Sequence, residues 1–393
     1  MKLLAFIALL VLTSCGVQPF RTDTGSFEEL EETLVFLPTI DKTLSFSQIR
    51  EIPFVIKRSA NEIETEPIFP NEVGEIMVIV YHGIHEESPG PFDRLTADFW
   101  NDLQTLYEQG YRLISLTDLI NNNITTPAGY TPVAITFDDG HPSAFSLMEM
   151  EDGTLSPVPG TAVYIMNEFY RKNPRFGRTA MFFINGIPEP FRGAGTMEER
   201  FNFLLDQGFE IGNHSYSHKN FATLNAAQLQ REIGLLDQLI RRYAPAPLAL
   251  AYPFGIRPRP HLHHYVMYGA YNGIPYSYVW ALRVGNTGVP AVPHHVNFDP
   301  TNVSRVVASD ESTEYQIVPD LGFLLRHFEQ RPYLRFISDG DPNTITVPRS
   351  RVHLVNMYSL GDKKLVVYDD IYEEYEELEY YYYIEYEDVE GTD

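Results

Sequence analysis

The chain contains the stretch Thr136-Phe137-Asp138-Asp139-Gly140, in which an apolar, β-branched run from residue 133 ends on two adjacent carboxylates and a glycine. Such a run is typical of a buried strand. A second segment, His214-Ser215-Tyr216-Ser217-His218, follows another strand-like run at 209–211. The four-residue spacing would place both imidazoles on one side of a helical turn, where they could bind one ion. Two histidines and one carboxylate with an open position form a common ligand set for a hydrolytic metal, which leaves the second carboxylate free to act as a base.

Each motif alone has an ordinary structural explanation. An Asp-Asp-Gly triplet after a strand is usually a turn, and a His-x-x-x-His pair is more often an exposed helix face than a metal site. The two motifs together, in this order and each after a strand, are much more specific. Ser215 occupies the place at which the zinc-protease helix pattern has its catalytic glutamate, so that pattern is excluded.

Composition limits the fold and the partners. The 393 residues, 44% of them apolar, allow one large α/β domain with extensions or two ordinary domains. A formal net charge of −24 argues against a nucleic-acid partner, because phosphates would be repelled. Residues 368–393 hold 12 acidic residues and no lysine or arginine, so half of that charge belongs to the C-terminal tail.

The N-terminus has the pattern of an export signal. Residues 1–12 combine a lysine with an apolar run that is too short to be a comfortable membrane span. The sequence Leu12-Thr13-Ser14-Cys15 resembles the bacterial lipobox, which implies cleavage before Cys15, lipidation of its sulfur and anchoring of the exported chain to a membrane of the cell envelope. The alternative is an ordinary core cysteine behind a signal peptide. Cys15 is the sole cysteine, which favours the lipoprotein interpretation.

Strand-like and helix-like segments alternate from residue 76 to residue 255. Alternation of this kind predicts a parallel sheet, and reactive residues that recur at strand ends predict a (β/α) barrel. The first strand, 76–80, leads to His82, and capping boxes at Thr196/Glu199 and Asn225/Gln228 predict two helix starts. We expect a signal peptide at 1–14, a tether and irregular extension at 15–75, a barrel domain at 76–350 and an acidic, tyrosine-rich tail at 351–393.

Three motifs together resemble the NodB-homology polysaccharide deacetylases: Thr-Phe-Asp-Asp-Gly at 136–140, Asn-His-Ser-Tyr-Ser-His at 213–218 and Tyr-Pro-Phe-Gly at 252–255. The resemblance spans roughly residues 77–255 and continues more weakly to about 348. It implies a distorted barrel with fewer than eight repeats, a divalent metal that is usually zinc, and hydrolysis of N-acetyl groups on a glycan.

The resemblance also implies roles for individual residues. Asp138 would be the base, and Asp139, His214 and His218 would be the metal ligands. The turn at Tyr252-Pro253-Phe254 would form a wall of the sugar site, with the Phe254 backbone N–H as a candidate oxyanion donor.

Two departures from the family pattern matter. Many members have an arginine where this chain has Ala251, and that arginine orients the base; Arg305 is a candidate to replace it. Many members also take their acid histidine from a C-terminal Leu-x-Leu-His, which this chain lacks. Tyr81-His82 looks like the arrangement in the poly-N-acetylglucosamine deacetylase group, in which the acid histidine follows the first strand. His294 and His295 are rivals, and a hydrogen-bonded core histidine is the alternative for His82.

Two other functions use the same residues differently. A glycoside hydrolase also needs two carboxylates, but the adjacent Asp138 and Asp139 would not flank a glycosidic bond. A lipid-anchored glycan-binding protein without turnover is made credible by the missing arginine. The glycan itself is left open among peptidoglycan, poly-N-acetylglucosamine, chitin fragments and acetyl-xylan.

Overall fold

The computed structural model of the chain describes residues 34–36, 68–87, 90, 92–285, 290–309 and 320–370. Its strands are β1 (Leu34–Phe36), β2 (Met77–Tyr81), β3 (Ile84–His85), β4 (Arg94–Leu95), β5 (Tyr111–Leu113), β6 (Thr131–Phe137), β7 (Leu147–Glu149), β8 (Leu155–Pro157), β9 (Met181–Ile184), β10 (Glu210–Asn213), β11 (Ala249–Ala251), β12 (Tyr268–Tyr271), β13 (Ile274–Ser277), β14 (Trp280–Leu282), β15 (Val306–Val307), β16 (Thr344–Pro348) and β17 (Lys364–Tyr368). Its α-helices are α1 (Thr96–Glu108), α2 (Leu116–Ile120), α3 (Ala162–Lys172), α4 (Met197–Asp206), α5 (Ala226–Ile240), α6 (His264–Met267) and α7 (Leu321–Gln330).

Eight parallel strands form the central sheet, in the order β14-β11-β10-β9-β6-β2-β15, with β5 paired to β6. The sheet curls. Leu282, at the end of β14, forms a parallel bridge with Val303, which lies three residues before β15. Helices alternate with the strands along the chain. This is the predicted distorted (β/α) barrel of parallel strands, and the fold prediction is confirmed.

Local signals set the helix starts. The Thr196 and Asn225 capping boxes form as predicted, each with reciprocal side-chain and backbone hydrogen bonds. Ser115 caps α2 by accepting from the Asp118 N–H at 3.0 Å. Helix α1 begins without such a cap, because Thr96 is its first helical residue and Leu95 holds the cap position without a side-chain bond.

The two faces of the sheet are both buried, against different partners. Met77, Ile79, Val133 and Ile135 pack outward in the cluster that includes the apolar faces of α1 and α3. Val78 and Ala134, with the alternate residues of β9 and β11, pack inward in a second cluster. Side chains of a strand alternate between faces, so residues that continue the inner series past the strand ends project into the mouth of the barrel. His82, Asp138 and His214 are such residues.

The folded region extends beyond the predicted domain limits. Residues 351–370, expected in the tail, instead include β17, which pairs in parallel with β16 and β1. Val73, Val347 and Val367 share a buried cluster there, because the apolar alternation of β16 and β17 needs a partner layer. Residues 70–74, expected in the extension, are buried as well. The predicted signal peptide at 1–14, Cys15 and residues 371–393 lie outside the described residues. Among the described residues, no helix is long and apolar enough to cross a membrane.

Candidate active site

The two aspartates lie where β6 ends. The Asp138 N–H donates to the Tyr81 carbonyl at 2.9 Å, which extends the β6–β2 ladder by one step and points the Asp138 side chain inward, fully buried. Asp139 then adopts a left-handed φ of 72°, which turns the chain sharply and leaves its carboxylate 39% exposed. Gly140, at φ 64°, must be glycine, because a Cβ there would lie 2.8 Å from the Pro190 side chain.

The two histidines lie on an irregular loop that follows β10, and the expected helical turn is wrong. Ser215 and His218 have left-handed φ values of 63° and 50°, which bring the rings together by a tight turn instead. Their centroids are 4.8 Å apart. His214 Nδ1 lies 2.9 Å from the Ala251 carbonyl. Because a carbonyl can only accept, Nδ1 carries the proton and Nε2 has a free lone pair that faces the aspartates.

The nitrogen lone pairs converge on one carboxylate oxygen. His214 Nε2 and His218 Nε2 each lie 3.5 Å from Asp139 Oδ1. These three donor atoms all lie within 4.8 Å of one another, the single group of this kind among the described residues. One carboxylate and two imidazoles, one of them oriented by a backbone carbonyl behind it, suit a zinc ion.

Arg305, the candidate to replace the arginine missing at Ala251, pairs with Asp138. Its two terminal nitrogens donate to the two Asp138 oxygens at 2.6 and 2.7 Å, and both side chains are fully buried. The guanidinium also lies over the Phe183 ring, in the barrel interior. Burial alone would raise the pKa of Asp138, but the charge of Arg305 and its hydrogen bonds hold it well below its usual range.

His82 faces the same mouth. Its ring lies 5.5 Å from that of Phe92, and its Nδ1 is buried with no hydrogen-bond partner among the described residues. Burial lowers the pKa of His82, while Asp138 and Asp139 act in the opposite direction.

The rivals of His82 lie elsewhere. His294 forms hydrogen bonds with the Glu72 carbonyl at 2.5 Å and with Asn122 Oδ1 at 3.1 Å. Glu72 precedes the start of β2, so His294 lies at the opposite end of the strands from His82. Burial lowers the pKa of His294 to about 4. His295 pairs with Val355 through the backbone.

The Tyr252-Pro253-Phe254 turn forms one side of the mouth. Phe254 is 60% exposed, and its ring lies 4.4 Å from the His218 ring. Tyr252 is buried and donates its hydroxyl to the Thr301 carbonyl at 2.8 Å, which anchors the turn.

Backbone strain is concentrated in the site. Seven described residues other than glycine have positive φ, and four of them are Asp139, Ser215, His218 and Phe254. Each costs on the order of 1–3 kcal/mol and persists only where the surrounding structure holds it.

Sequence reasoning missed the side chains that hold the histidine loop. Asn185 donates to the His214 and Ser215 carbonyls at 2.7 and 3.0 Å. Glu232, on α5, holds the other end of the loop. The sequence feature that could have indicated Glu232 is its position three residues after Leu229, which places a carboxylate on the apolar face of a helix.

Comparisons with known proteins bear on the whole arrangement. A family model described as polysaccharide deacetylase matches residues 126–271. No curated protein shows significant similarity to the chain. Similar solved structures include the deacetylase PplD of Streptococcus pyogenes (15% identity, 59% of this chain, 91% of that one, TM-score 0.44). Another is a de-N-acetylase from Aggregatibacter actinomycetemcomitans (14% identity, 59% of this chain, 94% of that one, TM-score 0.40). A third is IcaB from Ammonifex degensii (16% identity, 60% of this chain, 92% of that one, TM-score 0.39). The matched residues include both aspartates, both histidines and the Tyr-Pro-Phe-Gly turn, and this part of the chain is therefore identified as a polysaccharide deacetylase domain.

Proposed function

We propose that this chain is a metal-dependent hydrolase that removes N-acetyl or O-acetyl groups from a cell-envelope or extracellular polysaccharide. One observation carries the proposal: Asp139, His214 and His218 converge beside a second carboxylate, Asp138, which Arg305 keeps ionised in a fully buried position. Metal-assisted hydrolysis requires an open cluster of ligands and an adjacent base.

The donor set supports a divalent metal, most simply Zn²⁺. Asp139 would supply a carboxylate oxygen, and His214 and His218 would each supply Nε2. The exposure of Asp139 and His218, at 39% and 29%, leaves one side of the cluster open to substrate. When bound, such a metal polarises an amide carbonyl and acidifies water.

Asp138 is the base in this proposal. Its Oδ2 lies 3.7 Å from His214 Nε2, beside the ligand cluster, and the Arg305 pair keeps it from taking up a proton before the substrate arrives. As water attacks the acetyl carbon, Asp138 accepts its proton. The oxyanion that forms would accept a hydrogen bond from the Phe254 N–H, a donor commonly worth about 3–4 kcal/mol.

His82 is the proposed acid. It follows β2 on the same inner series as Asp138, and its unpartnered Nδ1 leaves the ring free of structural bonding on that side. As the C–N bond breaks, the sugar nitrogen must take up a proton so that it leaves as a neutral amine, and an imidazolium can donate that proton.

The alternatives lose their support. The glycan-binding hypothesis depended on the missing arginine, and Arg305 occupies that role in space. A glycoside hydrolase has no use for two histidines facing one of its carboxylates. A chelator separates this reaction from deacetylation, because only the latter should be inhibited.

The test is release of acetate from peptidoglycan, poly-N-acetylglucosamine, chitin oligomers and acetyl-xylan, with zinc, cobalt and nickel added in turn. We expect Asp138→Asn to keep the metal and lose turnover, because an amide cannot accept the proton. His214→Ala should lose both together. Failure of the wild-type protein to release acetate from any substrate would refute the proposal, and full metal occupancy in His214→Ala would refute the ligand assignment.

The lipobox at residues 12–15 supports a further proposal, that the mature chain is an exported lipoprotein anchored through Cys15. Cys15→Ala should move the expressed protein from the detergent phase to the aqueous phase and leave catalysis by the barrel unchanged. Equal partitioning of the two proteins would remove the lipoprotein interpretation.

A further inference from the structure

The loop that carries both histidines is held from both ends. Asn185 fixes the carbonyls of His214 and Ser215, next to the strand. The far end, which carries His218, leaves the sheet and has no strand to guide it. His218 nevertheless keeps a left-handed backbone conformation that side chains rarely adopt.

Glu232 accepts hydrogen bonds from the two residues just before His218. Its Oε2 accepts from the Ser217 N–H at 2.8 Å and from the Ser217 hydroxyl at 2.7 Å. Its backbone carbonyl accepts from the Tyr216 N–H at 2.9 Å. Three donors from two consecutive residues thus end on one residue of α5, whose side chain is 1% exposed.

The same carboxylate reaches the residue just after His218. Its Oε1 lies 3.3 Å from Lys219 Nζ and 3.1 Å from Arg231 Nη1. Lys219 is 53% exposed, so its ion pair is weak. The charge-assisted bonds to Ser217 are therefore the firm part of the contact, and the two cations compensate the buried charge.

We infer that Glu232 is a positioning residue that presets His218 as a metal ligand, an inference that rests on the proposed metal-dependent function. Without this contact, His218 must be ordered at the moment the ion binds, and that cost reduces affinity. Loss of a residue that orients a ligand typically weakens metal binding about 10–100-fold. A carboxylate that only stabilised α5 would lower the folding stability and leave metal affinity unchanged.

Glu210 provides a matched control. Its carboxylate also accepts two backbone N–H groups, from Leu116 and Thr117 at 2.8 and 3.1 Å, but it does so at the start of β10, the end of the strand away from His214. Glu232→Gln and Glu210→Gln therefore each neutralise one carboxylate that holds backbone, and only the first touches the histidine loop.

The experiment measures Zn²⁺ and Co²⁺ affinity of the metal-free mature chain by chelator competition, with the Co²⁺ absorption spectrum and the thermal midpoint of the metal-free protein. We expect Glu232→Gln to weaken metal binding about 10–100-fold and to alter the Co²⁺ spectrum, whereas Glu210→Gln binds like wild type. Ser217→Ala, which keeps the Ser217 N–H bond, should weaken binding about five-fold and serves if Glu232→Gln does not fold. Wild-type metal affinity in both Glu232→Gln and Ser217→Ala, or a loss of metal affinity in Glu210→Gln equal to that in Glu232→Gln, would overturn this inference and leave the proposed function standing. A wild-type chain that binds neither metal would overturn the proposed function and this inference with it.

Discussion

Replacing Arg305 by methionine tests the base and its partner together. The substitution keeps most of the side-chain length and removes the two donors that bond to Asp138 at 2.6 and 2.7 Å. Because both side chains are fully buried, the substitution leaves a buried carboxylate without its bidentate partner. Removing one partner of a buried ion pair typically costs about 3–5 kcal/mol of unfolding free energy.

The same substitution should change the pH dependence of catalysis. In the wild-type protein the pKa of Asp138 is depressed, so its contribution to stability is present above the unfolded pKa and is lost as the pH falls through the folded one. Without Arg305, burial dominates and the pKa of Asp138 rises. The acid limb of the rate profile should therefore move to higher pH. Turnover at pH 7 should fall by up to the contribution of a general base, about 10²–10⁴-fold.

A second substitution separates the two effects. Asp138→Asn in the Arg305→Met background removes the uncompensated charge, so the double variant should recover much of the lost stability and remain inactive. Arg94 offers a matched control. It makes a buried bidentate pair with Asp102 at 3.0 and 2.7 Å, outside the inner series of the barrel. Arg94→Met should lower stability similarly and leave the acid limb in place.

The assays are urea unfolding of the metal-free proteins and acetate release from pH 4 to pH 9. An Arg305→Met protein with the wild-type acid limb would show that Arg305 does not set the protonation of the base. A double variant no more stable than Arg305→Met would show that the buried charge is not what destabilises the single variant.

Two other predictions test residues at opposite ends of the strands. His82→Ala should retain the metal and lose about 10²–10⁴-fold of amide turnover, but hydrolyse an aryl acetate nearly as well as wild type, because that leaving group needs no proton; the same split in His294→Ala would transfer the role to His294. Burial, followed by the charge of Asp339, raises the pKa of Glu72 well above its usual value, so the stability that Glu72 contributes is present below the unfolded pKa and is lost as the pH rises through the folded one. Thermal unfolding from pH 5 to pH 8 should show a decline in wild type that is smaller in Glu72→Gln, and equal slopes in the two proteins would contradict this.

Local patterns predicted what local forces determine. The alternation of short apolar runs with capped amphipathic segments led to the parallel barrel, and the capping boxes at Thr196 and Asn225 form as expected. Strand ends could also be predicted, because Asp138 and His214 follow apolar runs that stop abruptly. Backbone hydrogen bonds continue two ladders of the same sheet past these strand ends, from Asp138 to Tyr81 and from His214 to Ile184, and so place both residues at one edge of the sheet.

The conformation of the histidine loop could not be predicted in the same way. A spacing of four residues suits a helical turn, yet the loop uses left-handed residues at Ser215 and His218. Such conformations are unfavourable in isolation, and here they depend on tertiary bonds from Asn185 and Glu232. Glu232 lies 18 residues after His214 in the sequence and on another element, so no local rule connects them. A carboxylate on the apolar face of a helix was the only trace of this contact in the sequence.

Arg305 shows that a guanidinium can lie beside the base even when the sequence motif lacks its arginine. The family pattern has its arginine at the position of Ala251, the last residue of β11, whereas here the guanidinium comes from Arg305, the residue immediately before β15. Ala251 is paired with Leu282 on β14, and Leu282 is bridged to Val303, two residues before Arg305. The curl of the sheet thus returns the chain to the same interior, where a long side chain can approach Asp138 from another direction. What the base needs is a buried bidentate donor and not a particular strand, so the absence of an arginine from the motif carries little weight until the interior of the barrel has been traced.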